Sequence, residues 1–261
     1  MKFTSIIFTL LFLCSHFTNA QLSDLLWQRD LGDNTVLYKI KPTKDGGYVC
    51  VGGSGTAIVI KLDDTGAIVW NRSYGGTGYE HFSEVLETED GGYILAGITQ
   101  SDDGDVMGFH TPLTDPQDND IWVLKIDSIG DIEWSQCYGS SGNEMLAKDA
   151  PSMAYGSQGD LLVATPDGGY ALLGTTSRPD TLGDVTGYHG HVNNAYFTNK
   201  AGDLWLFKIN NLGVLQWQKC IGGSINEEPG ALLLDDNGGF IIGATTSSSD
   251  GDAAGSGYHG S

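Results

Sequence analysis

One phrase recurs along the chain, and its fullest copy reads Asp90-Gly91-Gly92-Tyr93-Ile94-Leu95-Ala96-Gly97, then Asp120-Ile121-Trp122-Val123-Leu124-Lys125-Ile126-Asp127. Each half holds a short, nearly continuous apolar run, as expected of a strand covered on both faces. The Asp-Gly-Gly that opens the phrase suits a tight hairpin turn, because glycine readily adopts positive backbone φ angles. The phrase therefore predicts antiparallel strand pairs.

Copies of this phrase divide the chain into units that each begin at a tryptophan. The units span about residues 27–69, 70–133, 134–216 and a truncated 217–261. Their length grows because loops at 100–119 and 177–202 enter at the same point of the unit. A basic unit of about 44 residues with four short strands has the size of a propeller blade. The predicted fold class is all-β: a propeller-like array of about three to three and a half four-stranded antiparallel blades, forming an incomplete ring.

The full unit adds Gly75-Gly76 before the phrase and a Gly-x-Ile-x-Trp ending at Gly130 to Trp134. In this form it resembles the repeats of large secreted propeller-like proteins of Bacteroidetes-type bacteria, which often end in a type IX secretion sorting domain. The resemblance covers nearly all of residues 27–261. The resemblance implies the architecture and a secreted location, but it does not indicate which ligand is bound. Since no sorting domain is found in this sequence, we expect an N-terminal fragment of a longer chain.

The N-terminus carries the pattern of a secretory signal peptide over residues 1–20. Met1-Lys2 precedes an apolar run from Ile6 to Cys14, and Ala20 supplies a small residue for cleavage. The run is too short for a membrane span. A lipoprotein signal is the alternative, although Leu13 stands where such signals carry a small residue. We expect a mature chain that starts near Gln21 and is secreted or held at the cell surface.

Three cysteines remain after the signal peptide, so at most one intramolecular disulfide can form. Cys137 and Cys220 each follow a unit-opening tryptophan by three residues. Because they occupy equivalent places in different units, they are expected to be buried free thiols; a disulfide is the alternative. Cys50 is the third.

Charge excludes several classes of partner. The chain has 13 Lys and Arg against 33 Asp and Glu, a formal net charge of -20. Such an excess repels nucleic-acid phosphates and anionic headgroups, so we expect no nucleic-acid binding and no membrane insertion. A hydrophobic content of 40% is too high for a disordered acidic tail.

Acidic runs in the inserted loops are candidate calcium sites. Carboxylates alternate around a glycine turn there, which suits a hard, oxygen-seeking cation. The alternative is that these carboxylates are solvated or cap turns, since the full twelve-residue calcium loop is absent. The candidate metal ligands are Asp102, Asp103, Asp105, Asp180, Asp184, Asp250 and Asp252.

Other polar and aromatic residues recur once per unit, which favours a structural role over catalysis. The histidines are expected to hydrogen-bond the loop backbone, with ligand or sugar contact as the alternative. The glutamates are expected to serve the hydrogen bonding of the repeat, with glycosidase carboxylates as the alternative. The tryptophans are expected to be buried in the core. These sets are His110, His189 and His259; Glu80, Glu144 and Glu227; and Trp70, Trp122, Trp134, Trp205 and Trp217.

The predicted function is a secreted, non-catalytic propeller module for extracellular or cell-surface binding or scaffolding. Its partner is an unidentified glycan or protein, and calcium is the one candidate cofactor. No catalytic or cofactor-binding residue is singled out. The alternative is an extracellular carbohydrate-active propeller enzyme, which predicts that unique, non-repeated polar residues converge at one face. The irregular segment from Lys148 to Asp160 is the main candidate for these. A purely structural spacer is a third possibility.

Overall fold

The computed structural model describes residues 27–31, 36–110, 118–146, 159–178, 183–190 and 202–254. The predicted signal peptide, the candidate ligand Asp180 and the repeated His259 lie outside these ranges. The described residues form β strands and one turn of 3-10 helix at Gly251–Ala253. Across the same ranges, no helix is long and apolar enough to cross a membrane.

The strands group into four successive antiparallel sheets, and within each sheet the strand order largely follows the chain order. The first sheet contains β1 (Leu37–Pro42), β2 (Tyr48–Gly53), β3 (Ala57–Leu62) and β4 (Ile68–Tyr74). The second contains β5 (Glu80–Glu87), β6 (Tyr93–Thr99), β7 (Asp120–Ile126) and β8 (Ile132–Tyr138). The third contains β9 (Glu144–Met145), β10 (Leu162–Ala164), β11 (Tyr170–Thr176), β12 (Asp203–Ile209) and β13 (Leu215–Ile221). The fourth contains β14 (Glu227–Leu234) and β15 (Phe240–Thr246).

This arrangement confirms the predicted all-β, propeller-like array. The two-stranded fourth sheet is what the described part of the last unit contributes. In the third sheet, β9 and β10 both pair with β11, so together they take the place of one first strand. In the chain, β9 and β10 are separated by the irregular segment from Lys148 to Asp160, most of which lies outside the described residues.

The Asp-Gly-Gly turns behave as predicted. In the second sheet the Asp90 carboxylate accepts hydrogen bonds from the Thr88 hydroxyl and the Gly92 N–H. Gly91 has a φ of +83°, a value that L side chains rarely adopt. Lys125 closes the turn through an ion pair of 3.1 Å with Asp90. The hairpin is thereby fixed at the end of the sheet opposite to the inserted loops.

The core lies between the faces of neighbouring sheets. Every residue of the middle strands β6, β7, β11 and β12 is buried, which confirms the prediction from their apolar runs. Trp122 and Trp205 are fully buried, as predicted, but Trp70 and Trp134 are only half-buried and Trp217 is 39% exposed, so the prediction of buried tryptophans is wrong for those at the unit boundaries. Trp134, the equivalent of Trp217 in the preceding unit, donates its indole N–H to the Asn211 carbonyl of the following sheet at 3.1 Å. Cys137 and Cys220 are buried free thiols, as predicted, and so is Cys50.

Candidate functional site at the loop end of the sheets

Three inserted loops dock at the same place on successive sheets. Each begins after the second strand of a sheet and returns to the turn that follows the fourth strand of the preceding sheet. The backbone N–H of Asp105 donates to the Gly75 carbonyl at 3.0 Å, that of Asp184 to Gly139 at 2.7 Å, and that of Asp252 to Gly222 at 2.8 Å. The loops therefore form one row along a single end of the array, called here the loop face.

Carboxylates of these loops cap the turns on which the loops sit. Asp103 accepts a hydrogen bond of 2.8 Å from the Thr77 N–H, and Asp250 accepts one of the same length from Ser224. Asp105 accepts from the Gly75 N–H at 3.1 Å. Asp184 and Asp252 repeat that contact, accepting from Gly139 at 3.3 Å and from Gly222 at 3.4 Å. These contacts agree with the alternative that the loop carboxylates cap turns. The remaining described candidate, Asp102, is exposed.

A buried valine anchors two of the loops from below. Val106 follows Asp105 and is 3% exposed, and Val185 follows Asp184 and is fully buried. Each packs into the hydrophobic core beneath its loop. Met107, next in the chain after Val106, is 61% exposed. An apolar side chain is therefore held out at the loop face on a segment whose ends are fixed.

The repeated glutamates serve the hydrogen bonding of the repeat, as predicted. Glu80 is fully buried, accepting from the Gly76 N–H at 3.1 Å and from the Ser101 hydroxyl at 2.6 Å. Glu144 accepts from the Ser140 N–H at 2.8 Å and from the Thr176 hydroxyl at 2.7 Å. Both glutamates open the first strand of a sheet and bind the turn just before it.

The histidines have a structural role, but their partner differs from the predicted loop backbone. His110 donates from both its backbone N–H and its ring Nδ1 to Asp120 Oδ2, at 2.8 Å each. His189 makes the same two contacts with Asp203. The hydrogen bond to Asp120 raises the pKa of His110. Each histidine thus ties the end of its loop to the first residue of β7 or β12.

A second group of charged residues joins three sheets. Lys39 of β1 pairs with Glu84 of β5 and, at 2.7 Å, with Asp160, which precedes β10; Lys41 pairs with Asp160 at 2.6 Å. These four residues are called here the three-sheet ion cluster. Burial works to raise the pKa of Asp160, but hydrogen bonds from Lys39 and Lys41 outweigh it and lower the pKa.

Sequence reasoning missed the three-sheet ion cluster because its members do not recur and lie far apart in the chain. It also missed the role of Asp120 and Asp203, although both stood in the repeated phrase. One signal was available: Thr56 takes their place in the first unit, which also lacks the long loop and its histidine. The aspartate, loop and histidine therefore occur together.

Calcium binding by the loops stays a prediction. Among the described residues, no group of three or more His, Cys, Asp or Glu side chains is placed to hold a metal ion.

If the prediction holds, millimolar Ca²⁺ raises the unfolding midpoint relative to EDTA, because a cation that binds only the folded state stabilises it by mass action. At about a hundred times the Kd the gain is about 2.7 kcal/mol. Asp103→Asn combined with Asp105→Asn is then expected to remove most of this rise. An equal rise in the double variant would contradict their assignment as ligands.

No family model and no curated protein matches the chain. Among solved structures, it is similar to a protein of unknown function from Bacteroides caccae, with 12% identity and a TM-score of 0.46 over 83% of this chain and 56% of that one. It is also similar to a variant of the apocarotenoid oxygenase of Synechocystis, with 14% identity and a TM-score of 0.39 over 82% of this chain and 51% of that one. The chain thus spans little more than half the length of these structures, and likenesses this weak carry no functional argument.

Proposed function

We propose that the protein is a secreted, non-catalytic propeller-like module that binds an extracellular glycan or protein through its loop face. The equivalent docking of three loops that differ in sequence carries this proposal. Loops that vary while their anchors stay constant are typical of binding surfaces on rigid scaffolds. The predicted signal peptide and the resemblance to secreted Bacteroidetes-type repeats support the location.

The charge of the loop face restricts the class of partner that it can bind. Asp102 and Asp103 are exposed there, and the whole chain carries a formal charge of -20. Such a surface repels anionic polysaccharides, attracts cationic partners and does not repel neutral ones. Met107, the exposed apolar side chain on the second sheet's loop, is the candidate contact residue because the loop anchors fix its backbone and a partner would remove its apolar surface from water.

Binding is tested with a glycan array and with capture of extracellular proteins, using the purified protein and two matched variants. Met107→Ser changes the loop face, and Ile129→Ser changes a side chain of similar exposure, 61% against 56%, at the opposite end of β7. We expect Met107→Ser to weaken binding of a captured ligand about tenfold, about 1.4 kcal/mol, and Ile129→Ser to leave it unchanged. Equal effects of the two variants would contradict a binding site on the loop face.

A second candidate function is an extracellular carbohydrate-active enzyme, and one observation favours it. The three-sheet ion cluster brings together charged residues that occur once each, as the enzyme alternative requires, and Asp160 belongs to the irregular segment. Both of its carboxylates are paired with lysines, however, which favours a structural role over proton transfer. Hydrolysis of a polysaccharide panel that is lost in Asp160→Asn, with folding retained, would support the enzyme.

A further inference from the structure

Two carboxyl groups from neighbouring sheets converge at the junction of the second and third sheets. Asp120 begins β7 and Glu144 begins β9, and both are fully buried. A Cβ built on Gly139 would lie 2.5 Å from Asp120 Oδ1 and 2.7 Å from Glu144 Oε2. The two oxygens therefore face the same point, which only a glycine leaves free.

One of these oxygens has no hydrogen-bond partner. Asp120 Oδ2 is bound twice by His110, but Asp120 Oδ1 is buried and accepts no hydrogen bond. A buried carboxylate oxygen without a partner is costly, and a second carboxylate beside it adds repulsion. The arrangement therefore requires a positive charge at this point.

The same arrangement is built a second time. At the junction of the third and fourth sheets, Asp203 begins β12 and Glu227 begins β14. Asp203 Oδ1 is again buried without a hydrogen-bond partner. A Cβ on Gly222 would lie 2.9 Å from Asp203 Oδ1 and closer still to Glu227 Oε2. Recurrence at two junctions shows that the convergence belongs to the repeat.

The other charged groups around the first pair leave Asp120 Oδ1 without a partner. His110 lies on the Oδ2 side of Asp120, and Asp184 of the next loop, 4.0 Å from His110 Nε2, adds negative charge. Cys137 of β8 lies close enough for Asp120 to raise its pKa further, beyond the effect of burial. Among the described residues, no lysine or arginine forms an ion pair with Asp120 or Glu144. Arg178, which lies two residues after Thr176, forms none with them either.

We propose that the Asp120–Glu144 pair is a proton-binding site that holds one proton at neutral pH and thereby allows β7 and β9 to pack. The proton satisfies one carboxyl and removes the repulsion between the two. It belongs to the pair, since interacting groups titrate together. Asp203 and Glu227 repeat the geometry of this pair at the next junction. The consequence is a contact between sheets that weakens as the medium becomes alkaline.

Burial and the neighbouring charge of Asp120 raise the pKa of Glu144 to about 8, in agreement with this site. The unfolded chain releases the proton in the ordinary glutamate range, whereas the folded chain keeps it up to about pH 8. The stabilisation by this proton is complete at pH below the ordinary glutamate pKa and is lost as pH rises toward the folded value. A difference of one bound proton changes the unfolding constant about tenfold per pH unit within that window.

The test measures unfolding in denaturant between pH 5 and 9, in EDTA, for the protein and for Glu144→Gln. We expect the unfolding constant of the protein to rise with pH. In Glu144→Gln the logarithm of the unfolding constant should rise less steeply, because the variant lacks the contribution of about tenfold per pH unit from this proton. Glu80→Gln is the matched control, because the junction of Glu80 has Thr56 in place of the aspartate. This variant should keep the pH dependence of the parent protein. Parallel profiles for the protein and Glu144→Gln would overturn the proposal.

Thr56→Asp provides a second test that does not require Glu144→Gln to fold. It installs the missing carboxyl beside Glu80 at a junction without the loop histidine, and we expect it to add a new pH dependence of the same sign. An unchanged profile would overturn the proposal. Unfolding in millimolar Ca²⁺ at pH 8 distinguishes a proton from a metal ion at this site. If Ca²⁺ stabilised the protein but not Glu144→Gln, a metal ion and not a proton would occupy the site.

Discussion

Gly97→Ala is expected to destabilise the protein by about 3 kcal/mol, through forced overpacking inside the second sheet. A Cβ at this position would overlap the backbone carbonyl oxygen of His81 and would lie 2.7 Å from the Cα of Phe82. Both atoms belong to the backbone of β5, so no side-chain rotation relieves the clash. The strand must move away, and Phe82, which stacks on Trp122 at 4.8 Å, moves with it.

Thermal unfolding followed by circular dichroism measures the effect. For a chain of this length, about 3 kcal/mol corresponds to a fall in Tm of roughly 6 to 12 °C. Gly243→Ala is the matched control because Gly243 also lies inside a strand, and its added Cβ would meet only Ala231, at 3.9 Å. We expect that variant to stay within about 1 kcal/mol of the parent. Similar losses in both variants would contradict the clash with β5.

The position of Gly97 shows what sequence patterns reveal and what they do not. The apolar runs predict β6 and β7 because both strands are buried on each face, and the Asp-Gly-Gly turns predict their hairpins. The reason for a glycine at residue 97 is not accessible from spacing. It arises from the distance between β5 and β6, because the His81 carbonyl oxygen lies where a Cβ of residue 97 would be.

The boundaries of the sheets illustrate a similar limit. Sequence units begin at Trp70 and Trp134, because these residues mark the most visible repeat. In the structure Trp70 lies in β4, the last strand of the first sheet, and its indole N–H donates to Ser128 of the second sheet at 3.1 Å. A repeated sequence has no intrinsic starting point, so the choice of first strand depends on pairing between distant residues.

The site was predictable in its parts but not in its assembly. The acidic loops and the repeated Glu144 were evident in the sequence. The convergence of Asp120 and Glu144 was not, because these residues belong to different sheets and their approach depends on how one sheet packs on the next. The sequence left calcium binding and solvated or turn-capping carboxylates as alternatives for the loops, and several of these carboxylates accept hydrogen bonds from backbone N–H groups of the adjoining turn.

Trp122→Ala is expected to cost about 3 to 5 kcal/mol, the range for removing a large, fully buried aromatic side chain. Trp122 has no exposed surface, and its indole N–H donates to the Ser135 hydroxyl at 2.9 Å. It belongs to a cluster that includes Val49 and Val59 of the first sheet. The variant therefore removes contact between two sheets as well as within one.

Two further variants separate the causes of this loss. Trp122→Phe keeps an aromatic ring against Phe82 but removes the hydrogen bond to Ser135, so we expect it to be less destabilising than Trp122→Ala. Trp217→Ala removes a tryptophan that is 39% exposed, and we expect a cost of about 1 kcal/mol. If Trp217→Ala destabilised the protein as much as Trp122→Ala in urea unfolding, burial between stacked sheets would not be the main source of stability. The ranking of these variants thus tests the stacking of the array itself.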